Sequence, residues 1–389
     1  MIKESRKDIV KERIIIVLGS LNMGGAQRQA LLLARKLSQI GASVQIWGFA
    51  DHEGRVSVLC KEANIECRFY KFQTLSSRRN LPCWIVELLR YGLAIRRERP
   101  DIILPYYMIA NVACNLVWRL TGAKLCLWNQ RDEGLPVHPR IEALAASKAC
   151  FFIANSPTSY AYVRETYQAD VNKIHLVPNG VETPHPQKGR SYWRKWLNIQ
   201  KEQFVACMVA NLTSLKDHAT LITAWKYIID EFSNYALPPI LLLAGKCYNE
   251  ADSLRKLANN LGLYDFVRFL GDIEDIDGLL QSVDIGVFSS IQEGCPNGVL
   301  ECMAAGLAVV GTDIPALRYA LGPHSSKFLA PPNDPSAFAE KILMLINDSS
   351  LRQVVGNLNR NRVQVEFSPA KLLNTMLSLF STYTNENTQ

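Results

Sequence analysis

The sequence predicts an α/β protein with two domains, each built on a parallel sheet. Short apolar strands alternate with helical stretches along nearly the whole chain, at the spacing of β-α-β units. This alternation stops once, at a stretch rich in proline, histidine and lysine after residue 178, and then begins again. A chain of 389 residues is long enough for two ordinary domains. We therefore place the domains at 1–183 and 184–366, followed by an amphipathic helix and a loose tail at 367–389.

Composition excludes several other classes of protein. Hydrophobic residues make up 48% of the chain and charged residues 20%, which indicates a globular protein with a substantial core. The charged N-terminus lacks the apolar segment of a signal peptide, and no run approaches the roughly 18 apolar residues of a membrane span. The ten cysteines are scattered, without Cys-x-x-Cys or zinc spacing. We expect a cytoplasmic protein with free thiols and no metal site.

Positive charge is concentrated in the first half of the chain. Residues 1–183 carry 25 lysines and arginines against 16 acidic residues (+9), whereas residues 184–389 carry 18 against 20 (−2). A basic half indicates an anionic partner, such as a nucleic acid, a membrane surface or an acidic substrate. Because no nucleic-acid motif accompanies the charge, we expect no nucleic acid. Peripheral contact of the basic first domain with the inner face of the plasma membrane is retained as a hypothesis.

The first strand, Ile14–Leu18, leads into a glycine loop and a helix at Ala26–Leu37. Gly19 and Gly24 have the spacing of a P-loop, but the lysine and hydroxyl of that motif are missing. A dinucleotide-binding Gly-x-Gly-x-x-Gly is also absent. A paired-glycine loop, Gly24 with Gly25, that lets backbone approach a ligand is the third interpretation, and a plain helix-entry turn is the fourth.

The rest of the first half continues the alternation. Its predicted strands are residues 44–49, 102–104, 125–128, 150–154 and 174–177. The helix predicted at Leu81–Arg99 is amphipathic and ends in a basic cluster, which is compatible with a membrane surface. Cations at a helix C-terminus also complement the helix dipole. We favour this second interpretation because a buried strand follows directly.

The second half repeats the pattern. Its predicted strands are residues 204–209, 240–244, 267–270, 285–288 and 307–310, and its predicted helices are 218–229, 251–261, 275–281, 299–305, 313–320 and 335–346. A last amphipathic helix is predicted at 369–382. The strand at 285–288 leads into Glu293-Gly-Cys-Pro-Asn-Gly-Val-Leu-Glu301, where a helix starts after Pro296. Asn297 and Gly298 leave backbone amides unshielded at the positive end of the helix dipole, which favours phosphate binding.

This segment resembles a known donor-site signature. Two glutamates separated by seven residues, followed by Met303-Ala-Ala-Gly-Leu-Ala-Val-Val-Gly-Thr-Asp313, resemble retaining glycosyltransferases of family 4. The resemblance continues through Val267–Gly271, Asp284 and Pro178–Val181, and it covers nearly the whole chain. It implies the GT-B fold, in which two Rossmann-like parallel-sheet domains face each other across a cleft. The C-terminal helix then crosses back to the first domain.

The resemblance also implies an activity. Family 4 enzymes move a sugar, here expected to be a hexose, from a UDP- or GDP-sugar to a saccharide or lipid-linked saccharide, with retention of configuration. Such an enzyme would act in cell-envelope polysaccharide or glycolipid synthesis, and it would need no metal or other cofactor. A GT-B nucleotide-sugar epimerase is an alternative, although its acid–base histidines are not recognisable here. A non-catalytic nucleotide-sugar-binding protein is another.

Roles for individual residues follow from the same resemblance. Glu293 would lie beside the transferred sugar, and Lys216 would neutralise the leaving diphosphate. The family pairs this lysine with an arginine, but Asn211 or Thr213 occupies the arginine position. Either Arg131 or another basic residue would supply the second charge, or the leaving group would be stabilised less strongly. We predict that Glu293, Lys216 and Arg131 are catalytic.

Two further groups of contacts are predicted. Relatives often place a histidine beyond the strand at 125–128; Asn129, Gln130 and Arg131 stand there in this chain as candidate acceptor or sugar contacts. Glu301 would accept hydrogen bonds from ribose. The full predicted donor-binding set is Gly24, Gly25, Asn211, Thr213, Lys216, Gly271, Gly294, Cys295, Pro296, Asn297, Gly298, Val299 and Glu301.

Overall fold

In a computed structural model, the structure describes residues 12–72, 81–131, 138–248 and 250–387. The chain divides into two compact units. The first comprises Met1–Gly180 with Pro369–Gln389, and the second comprises Val181–Ser368. The sequence-based division placed the boundaries after residues 183 and 366.

The first unit contains two parallel sheets. Five strands have the order β3-β2-β1-β4-β5, and three more have the order β6-β7-β8. The strands are β1 Arg13–Leu18, β2 Ser43–Gly48, β3 Glu66–Phe69, β4 Ile102–Tyr106, β5 Leu125–Cys126, β6 Trp128–Gln130, β7 Phe152–Ala154 and β8 Ile174–Leu176. The helices are α1 Gly25–Gln39, α2 Arg55–Glu62, α3 Leu81–Arg97, α4 Met108–Thr121, α5 Pro139–Ala146 and α6 Pro157–Tyr167, with a 3₁₀ turn at Val171–Lys173.

The second unit contains one parallel sheet of six strands, in the order β11-β10-β9-β12-β13-β14. The strands are β9 Val205–Val209, β10 Ile240–Ala244, β11 Val267–Gly271, β12 Ile285–Phe288, β13 Ala308–Thr312 and β14 Leu329–Ala330. The helices are α7 Arg190–Trp196, α8 His218–Glu231, α9 Ala251–Asn260, α10 Ile276–Gln281, α11 Asn297–Ala304, α12 Pro315–Leu321, α13 Pro335–Asn347 and α14 Ser349–Glu366. Short 3₁₀ helices lie at Ser214–Lys216 and Pro323–Phe328.

Sequence explains both element types. Continuous apolar strands such as β10, in which every residue is buried, suit a parallel sheet covered by helices on both faces. Several helices begin at a side chain that accepts a hydrogen bond from a first-turn amide: Ser156 for α6, Asp217 for α8, Asp275 for α10 and Asp334 for α13. These caps satisfy amides that the helix itself leaves unpaired.

The last helix, α15 (Pro369–Asn387), belongs to the first unit. Its residues Leu373, Met376 and Phe380 are buried in the same core as β1 and α1. The Tyr383 ring stacks on Phe151 with centroids 4.4 Å apart, and its hydroxyl lies 2.9 Å from Nε2 of His175. The prediction that the C-terminal helix returns to the first domain is therefore confirmed.

Some local predictions were wrong. The strand predicted at residues 125–128 is two strands, β5 and β6, which belong to different sheets because the chain leaves the first sheet at Leu127. The helices α2, α7 and α14, and the strands β3 and β14, were not predicted as elements. Among the described residues, none of the helices combines the length and apolar character needed to span a bilayer.

Candidate functional site

Hydrogen bonds join the loop after β12 to the turn that precedes α8. The Ser289 hydroxyl donates to the main-chain oxygens of Lys216 (3.0 Å) and Asp217 (2.8 Å). The Ile291 amide donates to the Leu215 carbonyl at 3.0 Å. The buried Thr312 hydroxyl donates to the Ser290 carbonyl. Segments more than seventy positions apart in sequence are thereby fixed together at the carboxyl ends of β9 and β12, where parallel sheets place ligands.

Lys216 and Glu293 form an ion pair at this edge. Lys216 Nζ lies 2.5 Å from Glu293 Oε1, and the Ser290 hydroxyl donates to the same oxygen at 2.8 Å. The side chains are 24% and 9% exposed, so the pair is only partly open to solvent. Within the described part of the chain, no hydrogen bond engages Glu293 Oε2. The structure thus brings together the two residues predicted to be catalytic in the second half.

The helix α11 begins at the end of the same loop. Pro296 is the N-cap residue, and its side chain makes no hydrogen bond to the first-turn amides. Gly298 is required here because a Cβ at this position would lie 2.2 Å from the Val209 carbonyl oxygen and 3.0 Å from the Phe288 ring. This contact seats the positive end of the helix dipole directly against the end of β9. The first-turn amides therefore lie at the edge that also carries Lys216.

Asn211, which with Thr213 was a candidate for the position of the family arginine, contacts the main chain. Its Oδ1 accepts a hydrogen bond from the Lys246 amide at 3.1 Å, and the Leu212 amide donates to the Lys246 carbonyl at 3.0 Å. Gly245 makes this approach possible, since a Cβ there would meet the Ala210 oxygen at 2.1 Å. Lys246 is about one-third exposed, and its Nζ lies 3.8 Å from Asp272. Lys246 was not among the predicted site residues; the signal for it in the sequence is a Gly-Lys pair at the end of a buried strand.

The other predicted donor-binding residues differ in side-chain exposure and in backbone conformation. The Val299 side chain is fully buried and the Cys295 side chain is 9% exposed, so Val299 can reach a ligand only through its backbone. Glu301 and Gly294 are partly exposed. Gly271 ends β11 with φ +70°, a conformation that favours glycine. The Thr213 amide donates to the Asn211 carbonyl at 2.9 Å, which shapes the turn before Lys216.

His218 follows Lys216 closely and is almost fully buried at the start of α8. Neither ring nitrogen has a hydrogen-bond partner among residues 12–72, 81–131, 138–248 and 250–387. Burial, together with the nearby Lys216 charge, lowers the pKa of His218 to about 4. The imidazole is therefore neutral at physiological pH.

The glycine loop of the first unit is held by side chains. Ser20 donates to the Asp51 carboxylate at 2.5 Å and accepts from the Asn22 amide at 3.0 Å. Gly24 is the N-cap of α1 and has extended backbone; a Cβ there would meet Gln27 Oε1 at 2.8 Å. Gly25 is the first helical residue. The strand, loop and helix order predicted for this segment is confirmed, whereas its ligand contacts stay a prediction.

Arg131 lies in a separate polar cluster of the first unit. Its Nη1 donates to Asn129 Oδ1 at 3.2 Å and its Nη2 to Asn179 Oδ1 at 2.5 Å. Its guanidinium also lies over the Tyr106 ring, 4.8 Å from the centroid. Burial raises the pKa of the Tyr106 phenol. Two amide oxygens and one ring therefore fix the orientation of this cation.

Asn129 and Gln130 are not loop residues, contrary to prediction. They belong to β6 and are 2% and 1% exposed. The Asn129 backbone exchanges hydrogen bonds with the Asn111 side chain, and Gln130 Oε1 accepts from the Trp128 indole at 2.9 Å. The predicted strand ended at residue 128, but its pairing with β7 continues for two more residues. Of these three candidates, Arg131 is the one that is partly exposed.

In the parts of the chain that the structure describes, no group of three or more His, Cys, Asp or Glu side chains is arranged to hold a metal ion.

Sequence profiles identify the family. Residues 190–362 match the profile described as glycosyl transferases group 1, and residues 23–184 match the profile described as glycosyltransferase family 4. The chain belongs to glycosyltransferase family 4. Together the two matches cover both units of this glycosyltransferase, and the first match contains both Lys216 and Glu293.

Curated relatives of this glycosyltransferase carry related names. An uncharacterised glycosyltransferase of Methanocaldococcus jannaschii is 28% identical over 56% of this chain, and the match spans 57% of that protein. A D-inositol 3-phosphate glycosyltransferase of Corynebacterium urealyticum is 26% identical, with 86% of this chain and 85% of the relative covered. A UDP-Gal:α-D-GlcNAc-diphosphoundecaprenol α-1,3-galactosyltransferase of Escherichia coli is 26% identical over 84% of this chain and 88% of its own.

Solved structures show the same fold. Anabaena HepE in complex with UDP and glucose has a TM-score of 0.82 and 19% identity, covering 95% of this chain and all of HepE. Sucrose-phosphate synthase from Thermosynechococcus elongatus has a TM-score of 0.78 and 19% identity, covering 97% of this chain and all of the synthase. The fold of this glycosyltransferase is GT-B, as the sequence predicted.

Proposed function

We propose that this glycosyltransferase moves a hexose-type sugar from a UDP-sugar to a lipid-linked saccharide, with retention of configuration and without a divalent metal. The product would enter cell-envelope polysaccharide or glycolipid synthesis. The observation that carries the proposal is the Lys216–Glu293 pair beside the start of α11. UDP is supported by the complex of HepE with UDP and glucose, and a lipid-linked acceptor by the name of the E. coli relative.

The leaving diphosphate is the group that most needs stabilisation. When the bond between the sugar and the phosphate breaks, negative charge grows on the departing oxygen. Preorganised donors aimed at that oxygen lower the barrier. Lys216 supplies a cation held in place by the Ser289 and Glu293 contacts, and the first-turn amides of α11 supply aligned N–H dipoles at the same edge.

Lys246 is our candidate for the second positive charge. Lys246 would take the role of the family arginine, although it follows a different strand, β10. The hydrogen bond from its amide to the Asn211 side chain holds Lys246 next to the turn that contains Lys216. A lysine is a compact point charge suited to phosphate oxygens, although it lacks the paired geometry of arginine. Charge neutralisation would then be shared by two lysines in the second unit.

Glu293 faces the sugar side of the reaction in this proposal. Its Oε1 is committed to Lys216 and Ser290, which leaves Oε2 to accept hydrogen bonds from the sugar hydroxyls or to stabilise oxocarbenium charge. The acceptor hydroxyl attacks the anomeric carbon on the face that the diphosphate leaves. The bond to the diphosphate breaks with its electron pair, and the acceptor proton passes to the leaving phosphate oxygen. Glu301 binds the ribose hydroxyls.

The acceptor is assigned to the first unit. That part of the sequence carries most of the positive charge, and Arg131 offers a partly exposed, oriented guanidinium. An acceptor with a diphosphate near its sugar would bring negative charge that suits such a cation. Gly24 and Gly25 at the start of α1 are assigned to a close backbone approach to phosphate.

A two-stage assay tests the function. UDP- and GDP-sugars are first screened for a rise in melting temperature, and each stabilising donor is then incubated with lipid-linked and water-soluble saccharides. We expect a UDP-hexose to stabilise the protein and to be transferred to the lipid-linked acceptor with the α or β configuration of the donor preserved. The proposal fails if no nucleotide sugar stabilises the protein, or if the product has inverted configuration.

A further inference from the structure

The outward face of α3 combines apolar side chains with arginines. Every exposed residue of this helix is apolar, a cysteine or an arginine. Ile85, Leu89 and Leu93 follow one another at intervals of four residues and are 46%, 47% and 55% exposed. That spacing places side chains above one another on one face of a helix. The helix therefore presents a continuous apolar stripe to solvent.

This stripe is not the face that packs on the core. The buried residues of α3 are Trp84, Leu88, Tyr91, Gly92 and Ile95. The interpretation favoured from the sequence, in which cations at the C-terminus complement the helix dipole, agrees with Arg96 and Arg97 in the last turn. The structure adds a second feature, because α3 is apolar on two faces and the residues of one of them are exposed.

Positive charge flanks the exposed stripe on one side. Arg90 and Arg97 are exposed on α3, and among the described residues neither forms an ion pair with a carboxylate. Glu87, the one acidic residue within Leu81–Arg97, is only partly exposed. We call the set Ile85, Val86, Leu89, Leu93, Arg90 and Arg97 the α3 surface. Arg96 extends it, since its Nη1 donates to the carbonyl of Leu120, which is itself 43% exposed.

We propose that the α3 surface docks the first unit on a bilayer that contains anionic lipid. A helix with arginines beside exposed leucines and isoleucines suits the boundary between headgroups and acyl chains: the apolar side chains enter the boundary while the guanidinium groups contact lipid phosphates. A symmetric contact between two copies would bring the same arginines against each other. The charge pattern therefore favours an anionic surface over a second copy of this chain.

This inference deepens the proposed function, on which it rests for its biological meaning. An acceptor that is linked to lipid lies in a bilayer. An enzyme docked on the same bilayer would encounter that acceptor by diffusion along the membrane surface. The docking itself needs neither donor nor acceptor. It can therefore be tested without turnover, and the two proposals can fail separately.

Vesicle flotation measures the docking directly. The full-length protein is mixed with vesicles of phosphatidylcholine alone or with one-third phosphatidylglycerol, and the bound fraction is measured at low and at high salt. We expect binding to the anionic vesicles only, with a strong loss at high salt, because exposed charges are screened. Ile85→Gln/Leu89→Gln/Leu93→Gln should reduce the binding constant at least about tenfold, through the loss of buried apolar area. Arg90→Gln/Arg97→Gln should reduce it by about fivefold per arginine.

Matched controls separate the surface from general effects. Val354→Gln/Leu358→Gln/Val365→Gln makes the same kind of change at residues of α14 that are 57%, 43% and 65% exposed. Lys61→Gln/Lys148→Gln removes two exposed charges elsewhere in the first unit. Both controls should bind vesicles like the unchanged protein. All variants should keep donor hydrolysis, because none of these residues belongs to the Lys216–Glu293 pair, the Arg131 cluster or the predicted donor-binding set.

Three results would overturn the proposal. One is equal binding to anionic and neutral vesicles. Another is unchanged binding by the triple α3 variant. The third is a wild-type dimer in sedimentation that the triple variant converts to a monomer, which would assign the stripe to a second copy. Vesicle binding without any nucleotide-sugar turnover would instead support the docking and contradict the proposed function.

Discussion

The polar regions of the two units are built on different physical principles. In the second unit, Lys216 is held by an opposite charge, Glu293, and by buried hydroxyls that fix the two loops. In the first unit, the described contacts of Arg131 include two neutral amide oxygens and an aromatic ring. Removing one partner of a partly buried ion pair leaves the other charge uncompensated, whereas removing one neutral support takes a single hydrogen bond from a cation that keeps its other contacts. Substitutions should therefore have larger effects in the second unit.

The largest effect is expected at Glu293. In Glu293→Gln the side chain keeps its shape but loses the charge that faces the sugar, so kcat should fall about 10²- to 10³-fold, as it does when a preorganised electrostatic group is removed. UDP should still raise the melting temperature, because the nucleotide contacts remain. Ser290→Ala, which removes one neutral contact to the same carboxylate, should lower kcat by no more than about tenfold. Equal losses in the two variants would contradict the comparison.

A smaller effect is expected at Arg131. Arg131→Ala should lower kcat about 10- to 100-fold, because one charge-assisted contact is lost. Asn179→Ala should act through Arg131 by releasing Nη2, with a loss of about tenfold or less. In a double-mutant cycle, Asn179→Ala should add little to Arg131→Ala. Fully additive losses would show that Asn179 does not position this arginine.

The seating of α11 can be tested through stability. Gly298→Ala places a methyl group against the Val209 carbonyl and the Phe288 ring, at the 2.2 Å and 3.0 Å noted above. The free energy of unfolding should fall by about 1–3 kcal/mol, as in other overpacked sites. Gly189→Ala in the same unit, at the N-cap of α7, meets nothing within 4 Å and should lower it by less than about 1 kcal/mol. Denaturant melts of both variants would measure the difference.

The pH dependence of stability tests the buried His218. Its pKa is lowered to about 4 in the folded chain, from an ordinary value of 6.5. Between these values the unfolded chain binds the proton and the folded chain does not, so the folded state loses stability as the pH falls. From pH 7 to pH 5 this residue should remove about 2 kcal/mol from the free energy of unfolding. His218→Phe should lack that part of the decrease, whereas the exposed His185→Gln should retain it. Parallel curves for His218→Phe and the unchanged protein would contradict this account.

Features set by a short local segment could be predicted from the sequence, whereas contacts between distant loops could not. Glu293, Pro296 and Glu301 lie within one short segment of the sequence, and the apolar strands around it are uninterrupted. The order of strand, loop and helix, and the start of α11, could therefore be predicted from the local sequence pattern. The Lys216–Glu293 contact was not predictable from spacing, because Ser289 and Ile291 create it across two loops. Nor was the position of Lys246, which depends on Gly245 letting two strand ends approach.

Prediction failed most where one strand changed sheets. Residues 125–130 read as a strand followed by a polar loop, but the chain leaves the first sheet at Leu127 and pairs with β7 instead. Asn129 and Gln130 are polar yet buried, because Asn111 and Trp128 satisfy them. Similarly, the apolar pattern of α3 did not show which of its two apolar faces is covered.

The most direct test of the central claim compares UDP with uridine by titration calorimetry. If Lys216 binds the diphosphate, UDP should bind the unchanged protein more than about tenfold tighter than uridine, since contacts to a charged group are worth about 1.5–3 kcal/mol. In Lys216→Met most of that difference should disappear while uridine affinity stays the same. Lys226→Met, which removes an exposed lysine paired with Asp230 on α8, should behave like the unchanged protein. If the difference between UDP and uridine is the same with and without Lys216, the diphosphate is bound elsewhere and the account is wrong.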